Sequence, residues 1–168
     1  MPVASQVLPE TKALIDRDTN SIVLRRTFGA SREEVFAAWT QPEHVACWWD
    51  AAGTPLAVCE IDLRPGGAFK FVNKSHTDFP FTGIYREIMP PQQLVFEAMG
   101  STGKVVLESV GGNTLLTVTI KCGSEGQLDH FLKMGIDVGT AQTIDNLVAH
   151  VDAMKQDRLR GRPALKQS

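Results

Sequence analysis

Near position 125 the spacing of apolar residues changes from two to about 3.6, and that change limits what this chain can fold into. Before it lie short alternating runs separated by glycine- and proline-rich turns. After it comes one long amphipathic stripe. Residues 57–63 lead into Arg64-Pro65-Gly66-Gly67, and 68–74 return with Phe69 and Phe71 on one face, which predicts a hairpin. Residues 81–88 follow, with Gly83 inside the run predicting a bulge or a close approach by another element. Pro90-Pro91 ends that strand, 94–99 is the next, and Gly100 and Gly103 bracket a turn. Residues 104–110 and 114–122 flank Gly111-Gly112-Asn113, the clearest hairpin loop in the chain. Connections this short predict an antiparallel meander.

Beyond the switch, Leu128, Phe131 and Leu132 open a stripe that Ile144, Leu147, Val148 and Val151 continue at helical spacing. The prediction is a long helix broken near Gly135, with Gly139 letting it lie close against the sheet. On the N-terminal side, Ile22, Leu24 and Phe28 share one parity of a strand over 21–28, and Arg26 falls on that same parity. Its plainer reading is an arginine at the sheet margin that pairs locally; the alternative is a cation lining a cavity.

Between that strand and the meander lies SREEVFAAWTQPEHVACWW, residues 31–49. Ser31 with Glu34 makes a capping box, and Thr40 with Glu43 repeats the spacing, with Pro42 early in the following turn. Two short helices, 32–39 and 41–49, are predicted. Their apolar residues include three tryptophans, more aromatic surface than so short a pair can bury by itself. The pair must close over something.

One domain is expected from 168 residues, with 43% hydrophobic and 21% charged composition and a net charge of −2. That balance gives no reason to expect nucleic acid or an anionic membrane as partner. Neither a signal peptide nor a membrane span is legible, so a cytoplasmic protein is expected. Residues 1–20, interrupted by Pro2 and Pro9, read as a flexible leader; 21–155 as the domain; 156–168 as a basic, solvated tail. Cys47, Cys59 and Cys122 are three widely spaced thiols without a C-x-x-C, which argues against a disulfide framework. His44 with Cys47, and His76 with Asp78, lack the further ligands a metal site needs, so neither metal nor other cofactor is expected.

Taken together, Ser31, Val35-Phe36, Ala38-Trp39-Thr40, Pro42-Glu43, Trp48-Trp49 and Asp62-Leu63-Arg64-Pro65-Gly66-Gly67-x-Phe69 resemble the START-like (SRPBCC) helix-grip superfamily. Within it the chain resembles the branch named for the activator of heat-shock protein 90 ATPase homologues, over about 21–154. The resemblance implies an α+β helix-grip fold: a curved antiparallel sheet of about six or seven strands wrapped on a long C-terminal helix, with two short helices after the first strand. Two departures stand out. Thr140 follows Gly139 where the family often has tryptophan, which alters pocket volume, and Ala30-Ser31 stands where proline is common.

Such a fold implies a cavity for a small apolar or amphipathic molecule and no fixed reaction. Trp39, Trp48, Phe69, Phe71, Tyr85, Phe131 and Met134 are its expected wall. The alternative is a cyclase-, dehydratase- or hydrolase-like enzyme using Arg26, Glu60, Asp62, Arg64, Tyr85 and Glu87, although an ion pair steadying the 64–67 turn accounts for Glu60, Asp62 and Arg64 more simply. A chaperone partner rests only on the branch name and is the less favoured reading. Monomer and homodimer are equally compatible with the sequence.

Overall fold

The computed structural model describes residues 8–161. Its eight strands are β1 (Lys12–Asp16), β2 (Ser21–Phe28), β3 (Val58–Ile61), β4 (Ala68–Val72), β5 (Phe81–Met89), β6 (Gln93–Ala98), β7 (Ser101–Val110) and β8 (Asn113–Lys121). Between β2 and β3 lie α1 (Arg32–Thr40) and α2 (Pro42–Trp48); after β8 come α3 (Glu125–Lys133) and α4 (Ile136–Leu159). All strand pairings are antiparallel, in the order β1-β2-β8-β7-β6-β5-β4-β3. The predicted meander is present from β3 to β8. The first strands close onto its far edge through β2 and β8.

Two sequence expectations need correction here. Lys12–Asp16 fell within the supposed leader, yet it is a strand paired residue for residue with β2. Its outer position explains the missing signal: Leu14 is exposed and no alternation is enforced by burial. The count of six or seven strands thus becomes eight. Residues 1–7 of the leader and 162–168 of the tail lie outside the described residues.

The first capping box forms as read, with Ser31 Oγ accepting from the Glu34 amide at 3.2 Å and Glu34 Oε1 from the Ser31 amide at 3.3 Å. The second does not. Helix α1 runs on through Thr40, whose hydroxyl donates back to the Phe36 carbonyl at 2.8 Å, and Gln41 becomes the N-cap of α2 without a side-chain bond. Pro42 at the first helical position accounts for the start of α2.

The long helical segment breaks where expected. Gly135, at φ 74, takes a left-handed conformation between α3 and α4, which suits a residue without a Cβ. Helix α4 is about 36 Å long at 1.5 Å per residue. Ile144, Leu147, Val151 and Met154 are buried along it, facing Ile22, Leu24, Leu116 and Val118 in one core. Each fully buried aliphatic side chain there stabilises the fold by about 1.5–3 kcal/mol. Gly139, however, does not permit a close approach: a Cβ there would meet nothing within 4 Å.

Gly83 does mark one. A side chain at Gly83 would overlap the Phe69 ring, and one at Gly103 would overlap the Phe96 ring. Gly103 is therefore inside β7, and the turn expected from Gly100 to Gly103 is instead the two residues Met99 and Gly100, with Ala98 paired to Ser101. The bulge in β5 falls later, between Tyr85 and Glu87.

Candidate functional site

The sheet and the α3–α4 segment leave a cavity of about 290 Å³ between them, closed at one end by the helix pair. All three tryptophans line it. Trp39 comes from α1, Trp48 ends α2, and Trp49 follows directly, their rings packed in series at centroid distances of 5.1 and 5.7 Å. Trp48 is fixed by its indole N–H, which donates to the Ala38 carbonyl at 2.9 Å and so ties the second helix to the first. A buried indole needs such a partner.

The sheet wall comes from Phe81, Phe96, Ala98, Gly103, Val118 and Ile120, and the helical wall from Phe131, Ile136, Thr140, Thr143 and Ile144. The absent side chain of Gly103 makes room for the Phe96 ring. The wall's polar groups are Asn73, Ser101, Thr140 and Thr143, and none of the lining side chains is ionisable. Two of these hydroxyls are committed locally: Ser101 donates to the Ala98 carbonyl at 2.8 Å, and Thr143 lies within reach of the Gly139 and Trp49 carbonyls at 3.0 and 3.3 Å. Exposed Ala51 and Met99 lie at the opening.

The residues expected to form the wall divide into three groups. Trp39, Trp48 and Phe131 line the cavity. Phe69, Phe71 and Tyr85 lie behind it in an aromatic cluster with Trp49, Phe81 and Phe96, where the free space shrinks to about 10 Å³ and no ligand fits. Met134 is 51% exposed at the C-cap of α3, turned outward at the break that Gly135 makes. Trp49, Phe81, Phe96 and Ile136 line the cavity as well. The tandem tryptophans offered a signal for Trp49, while the others depend on how the strands and helices curve.

The polar candidates are not gathered into the cavity. Glu60, Asp62, Arg64 and Glu87 are exposed. Arg64 Nε donates to both oxygens of Asp62 at 3.0 Å, the ion pair expected beside the turn, but Glu60 takes no part in it. Glu87 accepts from the Gln93 side-chain amide. Arg26 turns to α4, where its guanidinium donates to Asp145 Oδ1 at 2.9 Å. Burial, with Cys59 adding, pushes the Tyr85 phenol above its ordinary range. Burial likewise pushes the Cys59 thiol up to about 12, aided by the Glu43 carboxylate and Cys47, and raises Cys47 and Cys122. None of these is an activated thiolate.

One feature of the helix pair had no sequence signal: His44 on α2 meets His150 on α4, ring nitrogens 2.9 Å apart. Among the described residues no group of three or more His, Cys, Asp or Glu side chains could hold a metal ion. No helix among them is long and apolar enough to cross a membrane.

A curved antiparallel sheet gripping a long C-terminal helix, with a cavity between them capped by a helix pair, defines a START-like helix-grip protein of the SRPBCC superfamily. The chain belongs to the family described as Activator of Hsp90 ATPase homolog 1-like protein, whose model matches residues 29–152. Solved structures agree on the fold. Protein Ms6760 from Mycobacterium smegmatis is 20% identical with a TM-score of 0.75, over 86% of this chain and 99% of its own. Protein NE0264 from Nitrosomonas europaea is 24% identical with a TM-score of 0.75, over the same shares. A protein from Arthrobacter aurescens is 20% identical with a TM-score of 0.72, over 93% of this chain and 95% of its own. No curated protein matches the sequence.

Proposed function

We propose that this protein binds a small, uncharged, apolar or amphipathic molecule in the cavity between the sheet and α4. The observation that carries the reading is the lining: aromatic and aliphatic groups with a few hydroxyl and amide groups, and no ionisable side chain, around about 290 Å³. That volume lies at the lower end of small-molecule sites and suits a molecule of about two linked aromatic rings. A carboxylate or ammonium entering it would lose its hydration without a charged partner, which disfavours ionised ligands.

The same lining favours binding over acid–base turnover. Glu60, Asp62, Arg64 and Glu87 sit on the surface, and the Tyr85 phenol is packed among rings behind the wall. The chaperone reading finds support only in the family's description, not in any feature of this cavity.

Because all three tryptophans line the cavity, intrinsic fluorescence reports on occupancy. Titration with the neutral fluorophore N-phenyl-1-naphthylamine is expected to quench tryptophan emission at one molecule per chain and raise the unfolding temperature. Dodecanoate, of similar apolar size but charged, is expected to do neither at the same concentration. Absence of quenching and of thermal shift with any neutral aromatic compound would overturn the proposal.

A further inference from the structure

Among the described residues, two other than glycine have positive φ, Asn20 at 55° and Met99 at 54°. Asparagine adopts that conformation readily, methionine only at a cost. Met99 and Gly100, at φ 54 and 75, form the two-residue loop between β6 and β7, a geometry in which Asn-Gly is the favoured pair. The chain thus keeps a long apolar side chain at a position where a short polar one fits the backbone better.

The surroundings hold this loop in place. Gln127 Nε2 donates to the Met99 carbonyl at 3.1 Å, while the same amide's Oε1 accepts from the Gly123 N–H at 2.6 Å. On the sheet side, the Ser101 hydroxyl donates to the Ala98 carbonyl. The loop is fastened both to the strand it leaves and to the start of α3. Strained residues held by such surroundings cluster at ligand clamps and other functional sites.

The side chain's position supplies the task. Met99 lines the cavity and is also 48% exposed, so it lies at the opening, one side toward the ligand space and the other toward water. A thioether is flexible, apolar and favourable against aromatic rings, the properties wanted at a mouth through which an aromatic molecule passes.

We infer that Met99 is the gate of the cavity, a residue that slows ligand escape and is kept at the expense of turn stability. This rests on the binding reading above. Three proteins test it: the wild type, Met99→Asn and Met99→Leu, each assayed for unfolding temperature and for stopped-flow release of N-phenyl-1-naphthylamine. Met99→Asn is expected to raise the unfolding temperature by about 2–4 °C and to release the probe about three- to tenfold faster. Met99→Leu, apolar on the same strained backbone, is expected to keep the slow release without the gain in stability. A wild type that binds the probe, with Met99→Asn releasing it at the unchanged rate or melting no higher, overturns the gate alone. A wild type that fails to bind any neutral aromatic probe overturns the binding reading and the gate with it.

Discussion

His44 Nδ1 and His150 Nε2 lie 2.9 Å apart, their rings edge to face, joining α2 to α4 beside the cavity's tryptophan wall. One neutral imidazole must donate and the other accept, so the bond needs at least one unprotonated ring. Burial lowers the His150 pKa to about 4, with His44 adding to the effect. Burial also lowers His44, against the opposing pull of the Glu43 carboxylate.

A pH dependence follows. In the unfolded chain both imidazoles take up protons near 6.5, whereas folded His150 resists until the pH nears 4 and folded His44 is shifted in the same direction, so unfolding binds protons below about 6.5. The stability that neutral His150 contributes is present above about 6.5 and is lost as the pH falls toward 4, and His44 acts in the same direction. The urea midpoint is expected to drop between pH 7 and pH 5, and to drop less in His150→Gln, which keeps a hydrogen-bonding partner without titrating. Equal slopes in the two proteins would rule the pair out as the source.

Two glycines should respond in opposite directions to alanine. A Cβ at Gly139 meets nothing within 4 Å inside α4, so Gly139→Ala is expected to stabilise the protein by about 0.5–1 kcal/mol. At Gly83 the added carbon would overlap the Phe69 ring and crowd the Glu97 carbonyl. Overpacking of that kind costs about 1–3 kcal/mol. Urea unfolding of both variants checks the signs.

Arg26 and Asp145 tie β2 to α4, and Thr11 joins them by donating to Asp145 Oδ1 at 2.8 Å. The Arg26 side chain is only 16% exposed, and its Nε is buried without a hydrogen-bond partner. Asp145→Asn, leaving that guanidinium without its counter-charge, is expected to cost about 1–2 kcal/mol, a value reduced for the half-exposed carboxylate. Arg26→Met, which removes the charge and keeps the packing, is expected to stay within about 1 kcal/mol of wild type. Chemical denaturation of the two single variants separates these outcomes.

Thr140 borders the cavity from the helical side. Thr140→Trp is expected to fill much of the space, to abolish N-phenyl-1-naphthylamine binding, and to leave the unfolding temperature equal or higher. Undiminished tryptophan quenching by the probe in that variant would place the binding site elsewhere.

What the sequence made legible is mostly local. Alternation and tight turns marked the meander, as in β4, where buried Phe69 and Phe71 alternate with exposed Ala68 and Lys70, and Ser31 with Glu34 marked the start of α1 because the cap bonds span three residues. The Thr40 spacing looked the same but failed, since nothing in the pattern says whether a hydroxyl will cap the next helix or bond back into its own. Strand β1 was missed for want of a buried face, and Gly139 was misread because a missing Cβ has the same letter whether or not a neighbour fills its place.

The sequence alone therefore determined the strand meander, the closing helix and the aromatic helix pair. Those depend on periodicities of two and about 3.6 and on contacts a few residues long. Tertiary structure decided which rings face space and which face one another. Phe69 on β4 and Phe96 on β6 have rings in contact across β5, yet the first lies in the packed cluster and the second also borders a cavity of about 290 Å³. Sheet curvature and the seat of α4 fix that difference, as they fix the meeting of His44 with His150 and the place of Met99 at the opening. These are sums over long-range packing, which no local spacing records.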